Sequence, residues 1–217
     1  MRLVITSDTH FNVTDMPIPP ADVFLHAGDF MYTGYPDEWL SSIEWMARLP
    51  HERKIITGGN HDWHLLNYKG QALYDLYKMG IEVIGFPGGR FNSTILPNGM
   101  SLLGLPYVTN LNLWAFNTTE EYIEKYLQEM GKHDVILAHS PPRGFLDQVG
   151  EGKHRHRVGI KAYTKYIDFH KPKLWLSGHI HEGYGQIQYN DTLIVNASMC
   201  NEEYQQVNPP IVIDLPD

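Results

Sequence analysis

Cysteine is nearly absent from this sequence, since Cys200 is the only one among 217 residues. A single thiol cannot form a disulfide within the chain, and it cannot supply the cysteine-rich ligand set of a structural zinc site. The sequence therefore excludes a fold stabilised by internal disulfides. We expect the protein in a reducing compartment, the cytoplasm.

Long hydrophobic runs and an excess of basic residues are also missing. No apolar run reaches the roughly 20 residues that span a bilayer, and the residues after Met1 do not form a signal peptide. Seventeen lysines and arginines stand against 25 aspartates and glutamates, for a formal net charge of -8. An acidic surface disfavours long nucleic acid, which prefers a basic face. We expect no membrane partner and no long nucleic acid, but a small phosphate compound fits if a metal ion supplies positive charge.

The chain is long and apolar enough for one sizeable core, because 42% of its residues are hydrophobic. No linker, repeat or low-complexity stretch divides it, so we predict a single domain over residues 1–217. Histidine is the abundant unusual residue, with 12 copies. The positions of these histidines decide what they can do.

One stretch, residues 58–62, concentrates polar chemistry and reads Gly-Gly-Asn-His-Asp. It follows an apolar, β-branched run at 54–57 that predicts a buried strand. Two glycines allow a sharp turn at the end of that strand. Gly-Asn is also ordinary turn chemistry, so the neighbouring motifs decide the interpretation.

The same arrangement of a strand followed by polar side chains recurs along the chain. The predicted strand at 2–6 is followed by Asp8 and His10, and the one at 22–27 by Asp29. The strand at 54–57 is followed by Asn60, His61 and Asp62. The strand at 134–138 is followed by His139, and the one at 173–177 by His179 and His181. A helix that begins at Pro36 and ends before Pro50 predicts a crossover between parallel strands. Open α/β sheets bind ligands at the carboxyl ends of such strands. Oxygen and imidazole ligands without thiolate suit Mn, Fe, Zn or Ni, and seven of these side chains suffice for two ions sharing a carboxylate.

The remaining pattern predicts further helices and strands. Helices are expected near 69–79, after a capping box at 118–121, and at about 159–170; strands are expected at 83–84, 93–95, 100–105, 184–189, 192–196 and 211–215. His26 lies inside a predicted strand and is interpreted as a core histidine. His64 is interpreted as a helix-end or surface residue.

Two loops have two interpretations each. The aromatic loop at 106–117 is either a packed surface loop or one wall of a substrate cleft. The basic loop at 153–157 is either a solvated loop or a surface that faces an anionic substrate. On the second interpretation we predict that Arg143, His154 and His156 bind substrate.

The motifs together resemble those of the calcineurin-like metallophosphoesterases. The resemblance is carried by Asp8-x-His10, Gly28-Asp29, Gly59-Asn60-His61-Asp62, His139 and Gly178-His179-x-His181, in this order. The segments at 25–29, 138–144, 178–185 and 196–198 further resemble the small class III phosphodiesterases related to the brain metallophosphoesterase-domain proteins. This resemblance implies an α/β fold, a four-layer α/β/β/α sandwich of two mixed sheets flanked by helices.

The resemblance also implies a role for each polar side chain. Asp8, His10 and His181 would hold one ion, Asn60, His139 and His179 would hold a second, and Asp29 would bridge them. His61 would be a catalytic imidazole outside the ligand set, with Asp62 beside it as its orienting partner. The cofactor would be two divalent ions, Mn²⁺ in the first place, with Fe, Zn, Ni or Mg as alternatives.

The implied reaction is hydrolysis of a small phosphodiester, a cyclic or 2′,3′-cyclic nucleotide. Two ions roughly 3.5–4 Å apart share a hydroxide that attacks phosphorus near neutral pH. After Asp29 the chain lacks the Asp-Arg-Gly of protein Ser/Thr phosphatases, which disfavours a phosphoprotein substrate. The alternatives are a phosphomonoesterase or nuclease-like activity at the same site, and a catalytically silent binding module.

Overall fold

The computed structural model describes residues 1–11, 17–86 and 92–216. Its helices are α1 (Pro36–Arg48), α2 (Trp63–Asn67), α3 (Lys69–Lys78), α4 (Glu120–Met130) and α5 (Lys161–His170). Its strands are β1 (Arg2–Thr6), β2 (Val23–His26), β3 (Arg53–Ile56), β4 (Glu82–Val83), β5 (Ser93–Ile95), β6 (Ser101–Leu105), β7 (Val108–Thr109), β8 (Asn117–Thr118), β9 (Val135–Ala138), β10 (Gln148–Val149), β11 (His156–Arg157), β12 (Leu174–Ser177), β13 (Gly185–Tyr189), β14 (Thr192–Asn196) and β15 (Ile211–Asp214).

Two mixed sheets form the centre of the fold. The first has the order β15-β1-β2-β3-β4, in which β15 is antiparallel to β1 and the other pairs are parallel. The second has the order β13-β14-β12-β9-β6-β5, in which β13 and β5 are antiparallel edge strands on a parallel centre. Parallel neighbours bring the carboxyl ends of their strands to the same edge of each sheet.

The strands bury side chains on both of their faces, which places one apolar layer between the sheets and one on each outer side. In β1, Leu3 and Ile5 point to the layer between the sheets, and Val4 points to the opposite face. The helices α1 to α3 cover the outer face of the first sheet, for example through Ile43. The helices α4 and α5 cover the second sheet, for example through Tyr163. The expected four-layer α/β/β/α sandwich is confirmed.

The N-cap of helix α4 lies one residue later than the sequence predicts. Thr119 is the N-cap, and its hydroxyl accepts a hydrogen bond from the Tyr122 NH at 3.2 Å. Thr118 cannot serve as the cap because it pairs with Thr109 in the two-stranded β7-β8 sheet. The prediction of a capping box at 118–121 is therefore wrong: the N-cap is Thr119, and the N3 position holds Tyr122, which cannot complete a capping box.

Two smaller expectations also change. His64 lies in the first turn of α2, which agrees with the helix-end interpretation, but it is not a surface residue, because its ring is buried and stacked on Trp39 with 4.7 Å between ring centroids. The loop at 106–117 is less irregular than predicted, since it carries β7 and the first residue of β8. None of the helices within the described residues has the length and apolar character needed to cross a bilayer.

Candidate active site

The five predicted clusters meet at one edge of the sandwich. The backbone there adopts conformations that are uncommon for residues other than glycine. Asp8, His10, Asp29 and His179 have φ angles of 53°, 43°, 58° and 67°. Non-glycine residues in this left-handed region cost conformational energy, and they cluster at functional sites. Four of the seven predicted ligands are held in this way, each just after a strand end.

Two glycines let these segments approach each other closely. A Cβ at Gly59 would lie 2.3 Å from Asp29 Oδ1, and a Cβ at Gly178 would lie 2.2 Å from Asp8 Oδ2. Both distances are far below van der Waals contact, so any side chain at these positions would displace a carboxylate. Only glycine fits at these two positions, because there is no room for a Cβ atom.

Asp8, His10 and His181 form the first group of candidate ligands, with ligand atoms within 4.8 Å of one another. His181 Nδ1 donates to the Asn201 carbonyl at 2.7 Å, which leaves the Nε2 lone pair facing the group. This Nε2 lies 3.2 Å from His10 Nε2 and 3.6 Å from Asp8 Oδ1. Asp8 Oδ1 is buried and accepts no hydrogen bond from the described residues. Such a convergence of acceptors fits a cation.

Asp29, His139 and His179 form the second group, also within 4.8 Å. His139 Nδ1 donates to the Ala27 carbonyl at 2.9 Å, so its Nε2 points into the site. This Nε2 lies 3.0 Å from Asn60 Oδ1 and 3.3 Å from Asp29 Oδ2. An imidazole lone pair, an amide oxygen and a carboxylate oxygen therefore converge here, and this donor set suits a divalent metal ion.

Asp29 lies between the two groups. Its Oδ1 accepts a hydrogen bond from the His61 NH at 2.8 Å, and its Oδ2 faces His139. Asp29 also forms a third close group with His10 and His61, which connects it to the first set. The arrangement places this carboxylate where it can serve both ligand groups.

Burial and charge set different pKa values for the ligating imidazoles. Burial lowers the pKa of His10 to about 4 and that of His179 to about 3, so both rings are neutral near pH 7. Burial also disfavours protonation of His139, but the neighbouring Asp29 carboxylate outweighs it and raises the pKa to about 9. Without an ion, His139 therefore carries the proton that a cation would replace.

His61 stands beside these groups with one ring nitrogen free to face a substrate. Its Nδ1 donates to the Tyr32 carbonyl at 2.6 Å, and its Nε2 lies 4.0 Å from Asp29 Oδ2. The ring also contacts Trp114, with 4.5 Å between centroids. The Tyr32 carbonyl fixes the tautomer and the orientation of the imidazole.

Asp62 does not have the partner that the sequence suggested. Its Oδ2 accepts hydrogen bonds from the NH groups of Asp29 at 2.8 Å and Gly59 at 2.7 Å, and its Oδ1 accepts one from the Met31 NH at 3.0 Å. The expectation that this carboxylate orients the His61 ring is corrected, since the Tyr32 carbonyl has that position. Asp62 instead ties the loop after β2 to the loop after β3.

The site opens into a cavity of about 360 Å³. Its described lining residues are His10, Asp29, Asn60, His61, Leu111, Trp114, Val149, His179, Ile180, His181, Glu182, Glu202 and Tyr204. Leu111 and Trp114 make part of the aromatic loop at 106–117 a wall of the cleft, the second of the two interpretations. The loop is held there because the Ala115 NH donates to the Asn60 carbonyl at 3.2 Å.

The predicted substrate-binding residues Arg143, His154 and His156 are exposed and are not among the described residues that line the cavity. The Arg143 carbonyl accepts a hydrogen bond from the Thr164 hydroxyl, and His156 Nδ1 bonds to the His154 carbonyl at 2.9 Å. Their assignment as substrate contacts stays a prediction.

Tyr204 lines the cavity, although the sequence did not predict it as a site residue. Its ring lies 4.7 Å from that of His10 and 5.3 Å from that of His181, between centroids. Tyr204 follows no strand and belongs to none of the motifs, so only its residue type offered a signal. The same loop supplies the Asn201 carbonyl that positions His181.

The chain is similar to known proteins over most of its length. The model of the calcineurin-like phosphoesterase family matches residues 1–183. The metallophosphoesterase domain-containing protein 1 of Homo sapiens is 35% identical over 238 residues, covering 99% of this chain and 71% of that protein. A UPF0046 protein of Caenorhabditis elegans is 29% identical, covering 100% of this chain and 76% of that protein.

Solved structures show the same fold. One from Thermus thermophilus has a TM-score of 0.58 at 16% identity and covers 90% of this chain and 88% of that chain. A putative 5′-nucleotidase from Staphylococcus aureus has a TM-score of 0.60 at 15% identity and covers 100% of this chain and 54% of that chain. The matched family model and the human relative show that the chain belongs to the calcineurin-like phosphoesterase family of metal-dependent phosphoester hydrolases.

Proposed function

We propose that this protein is a dinuclear-metal phosphodiesterase that hydrolyses a small phosphodiester. The observation that carries the proposal is the pair of ligand groups on either side of Asp29. Asp8, His10 and His181 would hold one ion, and Asn60, His139 and His179 would hold the other. Asp29 would be shared between them.

When bound, two divalent ions supply Lewis acidity toward the phosphoryl oxygens and lower the pKa of a water molecule. The chain's own contribution is to hold neutral imidazoles and only a few carboxylates around the ions. This charge balance leaves net positive charge to attract a phosphate. We expect Mn²⁺ in both positions, with Fe, Zn, Ni and Mg as alternatives.

His61 is the proposed general acid. Its Nδ1 is held by the Tyr32 carbonyl, which directs its Nε2 toward the cavity. In the imidazolium form, with Nδ1–H on the Tyr32 carbonyl, the ring carries a second proton on Nε2, which it donates to the leaving oxygen or as a hydrogen bond to the charge that develops on it. Such a group is typically worth about 10²–10⁴-fold in rate.

The proposed substrate is a cyclic or 2′,3′-cyclic nucleotide. The cavity of about 360 Å³ is within the range of small-ligand sites. Trp114 and Tyr204 stand on its wall beside the His61 and His10 rings and offer flat surfaces for a base. Aromatic side chains stack on bases of any sequence.

The proposal is tested by hydrolysis of bis(p-nitrophenyl) phosphate against p-nitrophenyl phosphate, with Mn²⁺ or with chelator. Asp29→Asn is the decisive variant, because asparagine tolerates the left-handed backbone and its oxygen can still accept the His61 NH. We expect metal-dependent diester turnover in the wild type and its loss in Asp29→Asn.

Other outcomes select the alternatives. A preference for the monoester would favour a phosphomonoesterase, and cleavage of polynucleotides would favour a nuclease. A protein that purifies without stoichiometric metal and hydrolyses neither ester would be a binding module. The cytoplasm stays our prediction for its compartment, and it rests on the single cysteine Cys200.

A further inference from the structure

The wall of the cavity carries two carboxylates beyond the candidate metal ligands. Glu182 follows His181 directly, and Glu202 lies two residues before Tyr204. Neither lysine nor arginine occurs among the described residues that line this cavity. A phosphate-binding site normally offers guanidinium or ammonium groups to the substrate. Here the positive charge would come from the metal ions, and the charged side chains that the lining adds beyond the candidate ligands are negative.

Glu182 and Glu202 are both exposed, and both line this cavity. Glu182 Oε1 also accepts a hydrogen bond from the Gly150 NH at 3.3 Å, which fixes it on the segment next to Val149 of the cavity wall. The two carboxylates therefore form one negative patch at the entrance.

The basic groups of the 153–157 loop, which follows Gly150, are not among the described residues that line the cavity. Lys153 and Arg155 are exposed on the 153–157 loop and lie outside the described lining. Arg157 is paired with Asp147, with 2.5 Å between Nη1 and Oδ1. Beyond the candidate ligands, the described lining therefore contributes two carboxylates and no lysine or arginine.

We infer that Glu182 and Glu202 are specificity-determining residues that select monoanionic phosphodiesters against dianionic phosphomonoesters. The inference rests on the proposed function and names the feature of the same site that decides between the two ester classes. A diester carries one negative charge, and a monoester carries two once its second proton is lost near about pH 6. The second negative charge of a monoester would be repelled by Glu182 and Glu202, and the described lining has no arginine or lysine to offset this repulsion.

The size of the effect follows from Coulomb interactions across a partly solvated cleft. Two carboxylates that repel one additional charge over several ångströms change the relative rate roughly three- to tenfold. The patch is exposed, so salt will screen the repulsion, with a Debye length of about 10 Å at 0.1 M. Discrimination against the dianion should therefore weaken as salt rises.

The test compares two substrates of the same size and leaving group but different charge. They are p-nitrophenyl phosphate, a dianion above about pH 7.5, and p-nitrophenyl methylphosphonate, a monoanion. The variant is Glu182→Gln/Glu202→Gln, which removes charge and keeps shape. The control is Glu129→Gln, an equal change on the exposed surface of α4, outside the described lining.

We expect the double variant to raise kcat/KM for the dianion about three- to tenfold and to change kcat/KM for the monoanion by less than about twofold. Added salt should raise the wild-type rate on the dianion and have little effect in the double variant. Equal changes for both substrates, or no change for either, would overturn the inference.

A binding measurement decides the same question without turnover. Calorimetry on metal-loaded protein compares sulfate, a dianion, with methanesulfonate, a monoanion. Tighter sulfate binding in the double variant with unchanged methanesulfonate binding supports the charge filter even if no ester is hydrolysed. Unchanged sulfate binding, or a lower metal content in the double variant than in Glu129→Gln, contradicts it. Failure of wild-type diester turnover alone would count against the proposed function only.

Discussion

Asp29 is the residue on which the two ligand groups depend. Its backbone has a φ of 58°, one carboxylate oxygen accepts the His61 NH, and the other faces His139 at 3.3 Å. Its own NH donates to Asp62 at 2.8 Å. Backbone conformation, hydrogen bonds and lack of space at Gly59 all hold this carboxylate in one position. Strain of this kind persists only where the surroundings fix it.

The first prediction at this scale concerns His61. Replacing it with alanine should leave both ions bound, because its ring is assigned outside the two ligand groups. We expect turnover to fall about 10²–10⁴-fold, as for a lost general acid. Metal content by mass spectrometry and steady-state rates check this together. If metal content falls with activity, His61 is a ligand and its assignment is wrong.

A second prediction concerns Asp62. Asparagine at this position keeps the size of the side chain but turns one acceptor oxygen into a donor, which then opposes a backbone NH. We expect Asp62→Asn to lower the free energy of unfolding by about 1–3 kcal/mol, measured with urea in chelator. Asp191→Asn, the same change on an exposed turn, should cost less than about 0.5 kcal/mol. Equal stability of Asp62→Asn and wild type would show that Asp62 does not tie the two loops.

The sequence identified the candidate ligand residues because each follows a recognisable strand and has a metal-competent side chain. It could not give the partner of Asp62, because asparagine-histidine-aspartate neighbours suggest a contact that the backbone turn does not make. It also could not find Tyr204, which reaches the site through an irregular loop. Contacts made by loops depend on tertiary packing, which no local pattern encodes.

Among the secondary-structure elements, the site depends on turns in which only glycine fits at certain positions. Gly59→Ala should push on Asp29 Oδ1 and on the His139 ring, which lie 2.3 Å and 2.7 Å from the added Cβ. We expect metal affinity to fall about 10–100-fold, the range for changes to groups that position ligands. Gly70→Ala in α3, where nothing lies within 4 Å, should leave the affinity unchanged. Equal affinities in the two variants would contradict the close packing at Gly59.

The strand β2 gives a prediction for the pH dependence of stability. Its His26 is buried, accepts the Gly28 NH at 3.2 Å and lies 3.1 Å from the Thr9 hydroxyl. Burial lowers its pKa to about 3. The unfolded chain, with an ordinary histidine pKa of about 6.5, therefore binds more protons between these values. Stability should rise with pH through this window, since ∂ΔG/∂pH is positive where the unfolded state holds more protons.

His26→Asn keeps an acceptor for the Gly28 NH and removes the titration. We expect the slope of the free energy of unfolding against pH, between about pH 4 and 6, to decrease by up to about 1.4 kcal/mol per pH unit. Urea unfolding in chelator at several pH values measures this slope. His156→Asn, at an exposed histidine, should leave it unchanged. An unaltered slope in His26→Asn would mean that His26 is protonated in the folded protein.

The elements themselves were largely predictable. Buried apolar runs predicted β1, β2, β3, β9 and β12 within one or two residues, and an amphipathic stripe after Pro36 predicted α1. The start of α4 was misplaced because the local pattern favours Thr118, which has Glu121 three residues later, whereas the pairing of Thr118 with Thr109 leaves Thr119 as the cap. Helix boundaries depend on such tertiary contacts.

At the scale of the whole molecule, the site exists because two sheets end at the same edge. The first sheet supplies Asp8, His10, Asp29 and Asn60, and the second supplies His139, His179 and His181. The segments are joined directly, since the His179 NH donates to Asp8 Oδ2 at 2.8 Å. Each proposed ion therefore has ligands from both sheets. The prediction of one domain over residues 1–217 accords with this and stays a prediction.

The central claim is that two metal ions share Asp29. Anomalous X-ray diffraction from crystals grown with Mn²⁺ tests it most directly. The account predicts two manganese peaks per chain, one bounded by Asp8, His10 and His181 and the other by Asn60, His139 and His179, with an Asp29 oxygen in contact with each. A single peak, or two peaks of which only one contacts Asp29, would contradict the account.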